Sequence, residues 1–264
     1  MTHAQKAVTS DKSRILSYRK MMVVLECFDT AARRMTLAEI ARQADLPRPT
    51  AHRILTALRE IGFLEQDGRG GAYGLGIRLF ELGSLALANM DLHREAKPFV
   101  DRLARLSEEA VHVGVFNGLE IVVVEREEHG ERAANNAYRT EGAPAYCTGV
   151  GKAVLAFQDK TLIAKVVKAG LKAFTNSTIT SAAELNRELA RIRRQGYAID
   201  NGEHQLWVHC VAAPIRNAAG RVFAAISVTG PSDRITQHRM QLLAGPVVQA
   251  ADSISRHLGF RNGH

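Results

Sequence analysis

Apolar residues first recur at helical spacing between Ser17 and Ala32, where Met21, Val24, Leu25 and Phe28 predict one buried stripe. A shorter helix follows Thr36. That threonine is a natural N-cap, and Glu39, three residues on, completes a capping box. Leu37, Ile40, Ala41 and Ala44 face inward on it. Asp45-Leu46-Pro47 ends it, because a proline disfavours helix at the residue before it. A third helix starts near Pro49, buries Ile54, Leu55, Leu58 and Ile61, and closes at Gly62. Two short strands, Phe63–Gln66 and Ala72–Leu75, flank the glycine-rich tip Asp67-Gly68-Arg69-Gly70-Gly71. Helix, helix, tight turn, helix and hairpin predict a winged helix-turn-helix over 17–78, after a polar, disordered tail at 1–16.

The stretch 79–92 reads as a linker helix. Leu79, Leu82, Leu85, Ala86 and Met90 make a stripe wider than a solvated linker exposes, which predicts a symmetric homodimer through this segment. A further helix, Arg94–Ser107, carries Pro98 in its first turns. Then the texture changes. Val111–Asn117, Glu120–Arg126, Val208–Ile215 and Val222–Thr229 read as strands. Helices are expected at Gly149–Phe157, Leu162–Ala169, Ala182–Gln195 and Thr236–Leu258. Mixed order of this kind predicts an α+β domain over 93–264, built on an antiparallel sheet.

With 264 residues, 46% hydrophobic and 23% charged, the chain suits two globular domains. No apolar run approaches the ~18 residues that cross a bilayer, and Met1–Arg14 has no secretory stretch, so a cytoplasmic protein is expected. Cys27, Cys147 and Cys210 form no close pair and read as buried small hydrophobes. The net charge is +8, and from Lys12 to Arg78 twelve Lys and Arg face seven Asp and Glu. A small basic domain at one end suits phosphate binding.

In a helix-turn-helix the second helix enters the major groove with its first residues at the base edges. Here Arg48, Pro49, Thr50, His52 and Arg53 stand at that start, leaving the apolar positions behind them to pack inward. Arginine can bind guanine bidentately. Arg69 at the hairpin tip is placed for a phosphate or the minor groove. A double-stranded, near-palindromic DNA operator is the expected partner.

These segments resemble the IclR family of bacterial regulators. The resemblance rests on Thr36-Leu37-Ala38-Glu39-Ile40-Ala41, on Thr50 through Leu58, on Tyr73-Gly74-Leu75-Gly76 and on Thr148-Gly149-Val150-Gly151-Lys152-Ala153. It continues in Arg193 through Asp200, Cys210 through Ile215 and Ala225 through Gly230. It implies a GAF-like effector domain, a dimer through the winged-helix and linker region, and often a tetramer. It also implies a pocket in which Gly149 and Val150 offer backbone N–H groups. Asp200, Cys210, Ser227 and Thr229 would be its polar lining and Val208 an apolar wall. A small carboxylic or phenolic acid fits that set. Trp207, the chain's single tryptophan, stands where the family commonly has glycine, and Asn201-Gly202 replace its usual acidic pair. That indole either reshapes the pocket or lies at a subunit contact.

Rival readings explain less. Gly149-Val150-Gly151-Lys152 is not a phosphate-binding loop, since Tyr146 occupies the first glycine's place and Ala153 that of the metal-binding hydroxyl. Cys147 or Cys210 as nucleophile, or Glu203, His204, His209 and Cys210 as metal ligands, match no standard arrangement. No catalytic residue, metal or cofactor is expected. A protein that uses the helical hairpin for protein contacts, not DNA, is the remaining alternative.

Overall fold

Thr36 and Glu39 do cap each other's backbone, and the helix they start, α2 (Leu37–Gln43), buries Ile40 and Ala41. Before it lies α1, residues 17–25. This helix is shorter than its periodicity predicted: the backbone leaves it at Glu26, and Phe28 packs from outside it. The turn after α2 is closed by Asp45 at φ 50° and by Leu46 N–H bonding to Ala41 O at 2.9 Å. Helix α3 (Arg48–Glu60) follows at once, with Pro47 as N-cap and Pro49 in the first turn. Its start lies one residue earlier than the sequence suggested. Strands β1 (Leu64–Gln66) and β2 (Tyr73–Leu75) form the antiparallel hairpin, one residue shorter on each arm than expected. Helix α4 (Ile77–Ala88) completes this part.

The computed structural model describes residues 17–29, 32–68, 70–88, 91–128 and 142–261, with 84–88 by backbone alone. The tail 1–16, Arg69 and Met90 lie outside them. The chain divides into two units, Met1–Asn89 and Met90–His264.

The second unit opens with α5 (Asp91–Ser107), which begins three residues earlier than predicted and carries Pro98 well inside it, not in the first turns. Its sheet has six antiparallel strands in the order β5-β4-β3-β8-β7-β6. They are β3 (Ala110–Phe116), β4 (Glu120–Glu127), β5 (Ala143–Pro144), β6 (Ala198–Asn201), β7 (Val208–Arg216) and β8 (Val222–Pro231). The sequence reading had four of them and missed β5 and β6. Three helices separate β5 from β6: α6 (Gly149–Leu155), α7 (Lys160–Ala169) and α8 (Ala182–Gln195). The last helix is α9 (Gln237–His257), capped by Thr236.

Strand alternation sends successive side chains to opposite faces. Val111, Val113, Val211, Ala213, Ile226 and Val228 pack beneath α5 and α9. The intervening residues face α6: Ala212 and Ala225 are packed there with Val150, Ala153 and Val154. Gly149 and Gly114 permit the close approach of α6. A Cβ at Gly149 would lie 2.6 Å from Cys210 Sγ, and one at Gly114 2.3 Å from Ile121 Cγ2 and 3.0 Å from Val150 Cγ1.

Candidate functional site

Two surfaces carry the residues singled out by the sequence. The first is the start of α3. Arg48, Pro49, His52 and Arg53 are exposed and Thr50 is half-buried, while Ala51, Leu55 and Leu58 on the opposite side are buried. Among the described residues, no acidic side chain is ion-paired with Arg48 or Arg53. In the same unit Arg34 is committed to Glu65 and Asp67, and Arg59 to Gln66. Arg69 lies outside the described residues. On α4, Ile77 and Phe80 are 69% and 71% exposed, and Leu82 is exposed beside them. The side chains of Leu85 and Ala86 and all of Met90 lie outside the described set.

The second surface is a half-open cavity between the sheet and the start of α6. Gly149, Val150, Asp200, Val208, Cys210, Ser227 and Thr229 all line it. Register explains how four of them meet. Asp200, Cys210 and Thr229 are consecutive cross-strand partners on β6, β7 and β8. Ser227, two residues from Thr229, points the same way, and their hydroxyls lie 3.4 Å apart. Above them the start of α6 presents amides that have no partner within the helix. Thr148 Oγ1 accepts the one from Gly151 at 3.2 Å, while Gly149 and Val150 line the cavity.

Buried polar contacts hold the floor in place. Lys152, fully buried, is ion-paired with Glu203 and, at 3.3 Å, with Glu188. Glu203 N–H donates to Asp200 Oδ1 at 2.8 Å. Thr175 Oγ1 donates to Gly202 O at 2.6 Å and Thr178 Oγ1 to Glu203 O at 2.5 Å, so the turn after α7 pins the strap 202–207.

Electrostatically the cavity favours uncharged forms. Burial, and then the Glu203 carboxylate, push the Asp200 carboxyl up to about 7. Burial likewise raises the Cys147 and Cys210 thiols to about 12, the opposite of what a thiolate nucleophile needs. Among the described residues no three His, Cys, Asp or Glu side chains gather as a metal ion needs; Glu203 is paired with Lys152, and His209 Nδ1 lies 2.8 Å from Ile235 O.

Sequence reasoning missed His112, Ile121, Val123, Ala143, Thr148, His204 and Gln205, which also line the cavity. The signal for His112 was available: one polar residue in the alternation of Ala110–Phe116, on the face that carries no core valine. Trp207, expected either to reshape the pocket or to sit at a subunit contact, is 72% exposed and does not line it.

Comparison with known proteins gives these surfaces a context. Residues 18–68 match the IclR helix-turn-helix domain, and residues 84–256 match the family described as bacterial transcriptional regulator IclR C-terminal. The HTH-type transcriptional repressor AllR of Salmonella typhi is 33% identical over 241 residues, covering 91% of this chain and 89% of that repressor. An IclR homolog from Microbacterium hydrocarbonoxydans, solved in complex with 4-hydroxybenzoate, superposes with a TM-score of 0.76 at 29% identity, covering 92% of this chain and 98% of that one. A putative IclR regulator from Silicibacter sp. TM1040 shares the fold, with a TM-score of 0.82 at 24% identity over 94% of this chain and 98% of that one. Among the described residues, no helix is long and apolar enough to cross a membrane.

Proposed function

This chain belongs to the IclR family of bacterial transcriptional regulators, and we propose that it binds an operator through α3 and changes its hold on that DNA when a small carboxylic acid enters the cavity under α6. The observation that carries this reading is the convergence of Gly149, Val150, Asp200, Val208, Cys210, Ser227 and Thr229 on one cavity. Few polar groups in apolar walls, with backbone amides at a helix start, suit a small anion with one further polar group. Asp200 opposes a bare anion unless it is protonated, and its raised pKa makes it a donor to a hydroxyl or keto oxygen. The 4-hydroxybenzoate held by a relative is of that class.

On the DNA side we assign Arg48, Pro49, Thr50, His52 and Arg53 to the operator, with Arg69 on the hairpin reaching a phosphate or the minor groove. Residues 17–78 would read the DNA, 79–92 join protomers and 93–264 sense the acid. The exposed Ile77, Phe80 and Leu82 of α4 suit a homodimer or larger symmetric assembly on a near-palindromic site. The protein acts in the cytoplasm, where its DNA is.

Gel-shift titration against the protein's own promoter region tests the DNA half. A steep fall of affinity with salt is expected, and Arg48→Ala should cost about 1–3 kcal/mol. Unchanged affinity in a folded Arg48→Ala protein removes that residue from the interface. Ser227→Leu tests the acid half: it should abolish the response to an acid while operator binding persists.

A further inference from the structure

The residues read from the sequence gather on one side of the cavity, on β6, β7, β8 and the start of α6. The other side is made by His112 on β3, Ile121 and Val123 on β4 and Ala143 on β5. Three strand spacings, about 14 Å along the sheet, separate β6 from β3. A two-carbon acid is too short to occupy both sides.

His112 is the polar group of this far side. Its Nε2 is buried and, among the described residues, has no hydrogen-bond partner. Its register partners are Ser227 on β8 and Arg126 on β4. Burial, together with the Arg126 cation, holds the imidazole neutral, with its pKa down to about 3. A neutral imidazole has one donor and one acceptor. Arg126 is itself ion-paired with Glu128, so it does not supply a spare positive charge. Ile121, Val123 and Ala143 wall the corner with hydrocarbon.

We infer that this corner is a second subsite, which takes the distal end of the effector and reads an uncharged hydroxyl or carbonyl there through His112. The inference rests on the cavity being the acid site proposed above. The effector class it names is an aromatic or medium-chain monocarboxylate with a neutral polar group far from its carboxylate. A dicarboxylate is refused, because its second charge meets no counterion in a buried corner. A ligand oxygen at His112 satisfies the unpaired ring nitrogen, and an analogue lacking that oxygen leaves it orphaned.

Calorimetric titration of the full chain with 4-hydroxybenzoate, benzoate, terephthalate and glyoxylate tests this. The hydroxy acid should bind about tenfold or more tighter than benzoate, and terephthalate should bind more weakly than either. His112→Phe keeps a ring and removes both nitrogens, so the preference for the hydroxy acid should fall to about onefold with benzoate affinity kept. Val123→Phe fills the same corner from β4 and should weaken both aromatic monoacids about tenfold; it stands in if His112→Phe does not fold. Equal affinities in the wild type, tight terephthalate binding, an unchanged ratio in His112→Phe or an unaffected Val123→Phe each overturn the subsite. Binding of glyoxylate alone overturns it too, while leaving the acid site intact. Binding of none of the four defeats both readings.

Discussion

The two faces of the six-stranded sheet come from the same strands and do different work. Toward α5 and α9, β3, β7 and β8 pack Val111, Val113, Val211, Ala213, Ile215, Ala224, Ile226 and Val228 into one apolar core. Toward α6, the same strands carry Ala212 and Ala225 at one end and His112, Cys210, Ser227 and Thr229 at the other. One face stabilises the domain. The other gives up part of its apolar contact to hold a cavity of uncharged polar groups. Because alternation couples the faces residue by residue, the site can change its chemistry at even-numbered positions of β3 without altering the core beneath.

That division predicts a graded set of responses. The largest belongs to the apolar face: Ile226→Ala, at a fully buried position, should cost about 2–5 kcal/mol in denaturant unfolding. A loss under about 1 kcal/mol there would mean that this face is not the stabilising one. Next comes Gly149→Ala on the cavity face. Its new Cβ meets Cys210 Sγ, so α6 must shift, at about 1–3 kcal/mol and with loss of acid binding. Pairing it with Cys210→Ala, which removes the offending sulfur, should restore much of the stability; failure of that rescue would place the strain elsewhere.

A smaller effect depends on pH alone. Asp200 has a folded pKa near 7, above its unfolded value, so its contribution is fully present below the unfolded pKa and is lost as pH rises through about 7. Asp200→Asn keeps the Oδ1 that accepts Glu203 N–H and removes the ionisation. The stability of the variant relative to wild type should therefore rise between about pH 4 and about pH 8, followed by thermal melts. A gap that stays constant over that range would show that Asp200 is not held protonated. The smallest expected change is Ser227→Ala. Its hydroxyl lies at a long 3.4 Å from that of Thr229, so stability should move by under about 1 kcal/mol while acid affinity falls.

The sequence made legible whatever repeats. Val-x-Val alternation announced β3, and Ile226-Ser227-Val228 in β8 put Ser227 and Thr229 together on the other face. The Thr36–Glu39 box announced α2 because capping is local chemistry. Two-residue β5 and four-residue β6 left no periodic trace; each exists only because a neighbouring strand offers it hydrogen bonds. The end of α1 differs from its periodicity for the converse reason: Phe28 is apolar and in phase, yet it packs from a non-helical backbone. The alternation of β3 singled out His112 as its one polar position, but not as a site residue, because that role depends on which strands flank β3.

The exposure of Trp207 has a practical side. The chain has one indole, and it sits next to Val208 in the cavity wall without lining the cavity. Its carbonyl accepts from Ser232 N–H at 2.8 Å, and its strap is tied at Gly202 and Glu203 to the turn after α7. Indole light emitted by this protein therefore comes from a single, solvent-bathed lamp mounted on the rim. A ligand that fills the cavity without touching the strap leaves that lamp unchanged, whereas one that shifts the strap alters its colour. Emission read beside calorimetry separates occupancy from shape in a molecule that needs no added label.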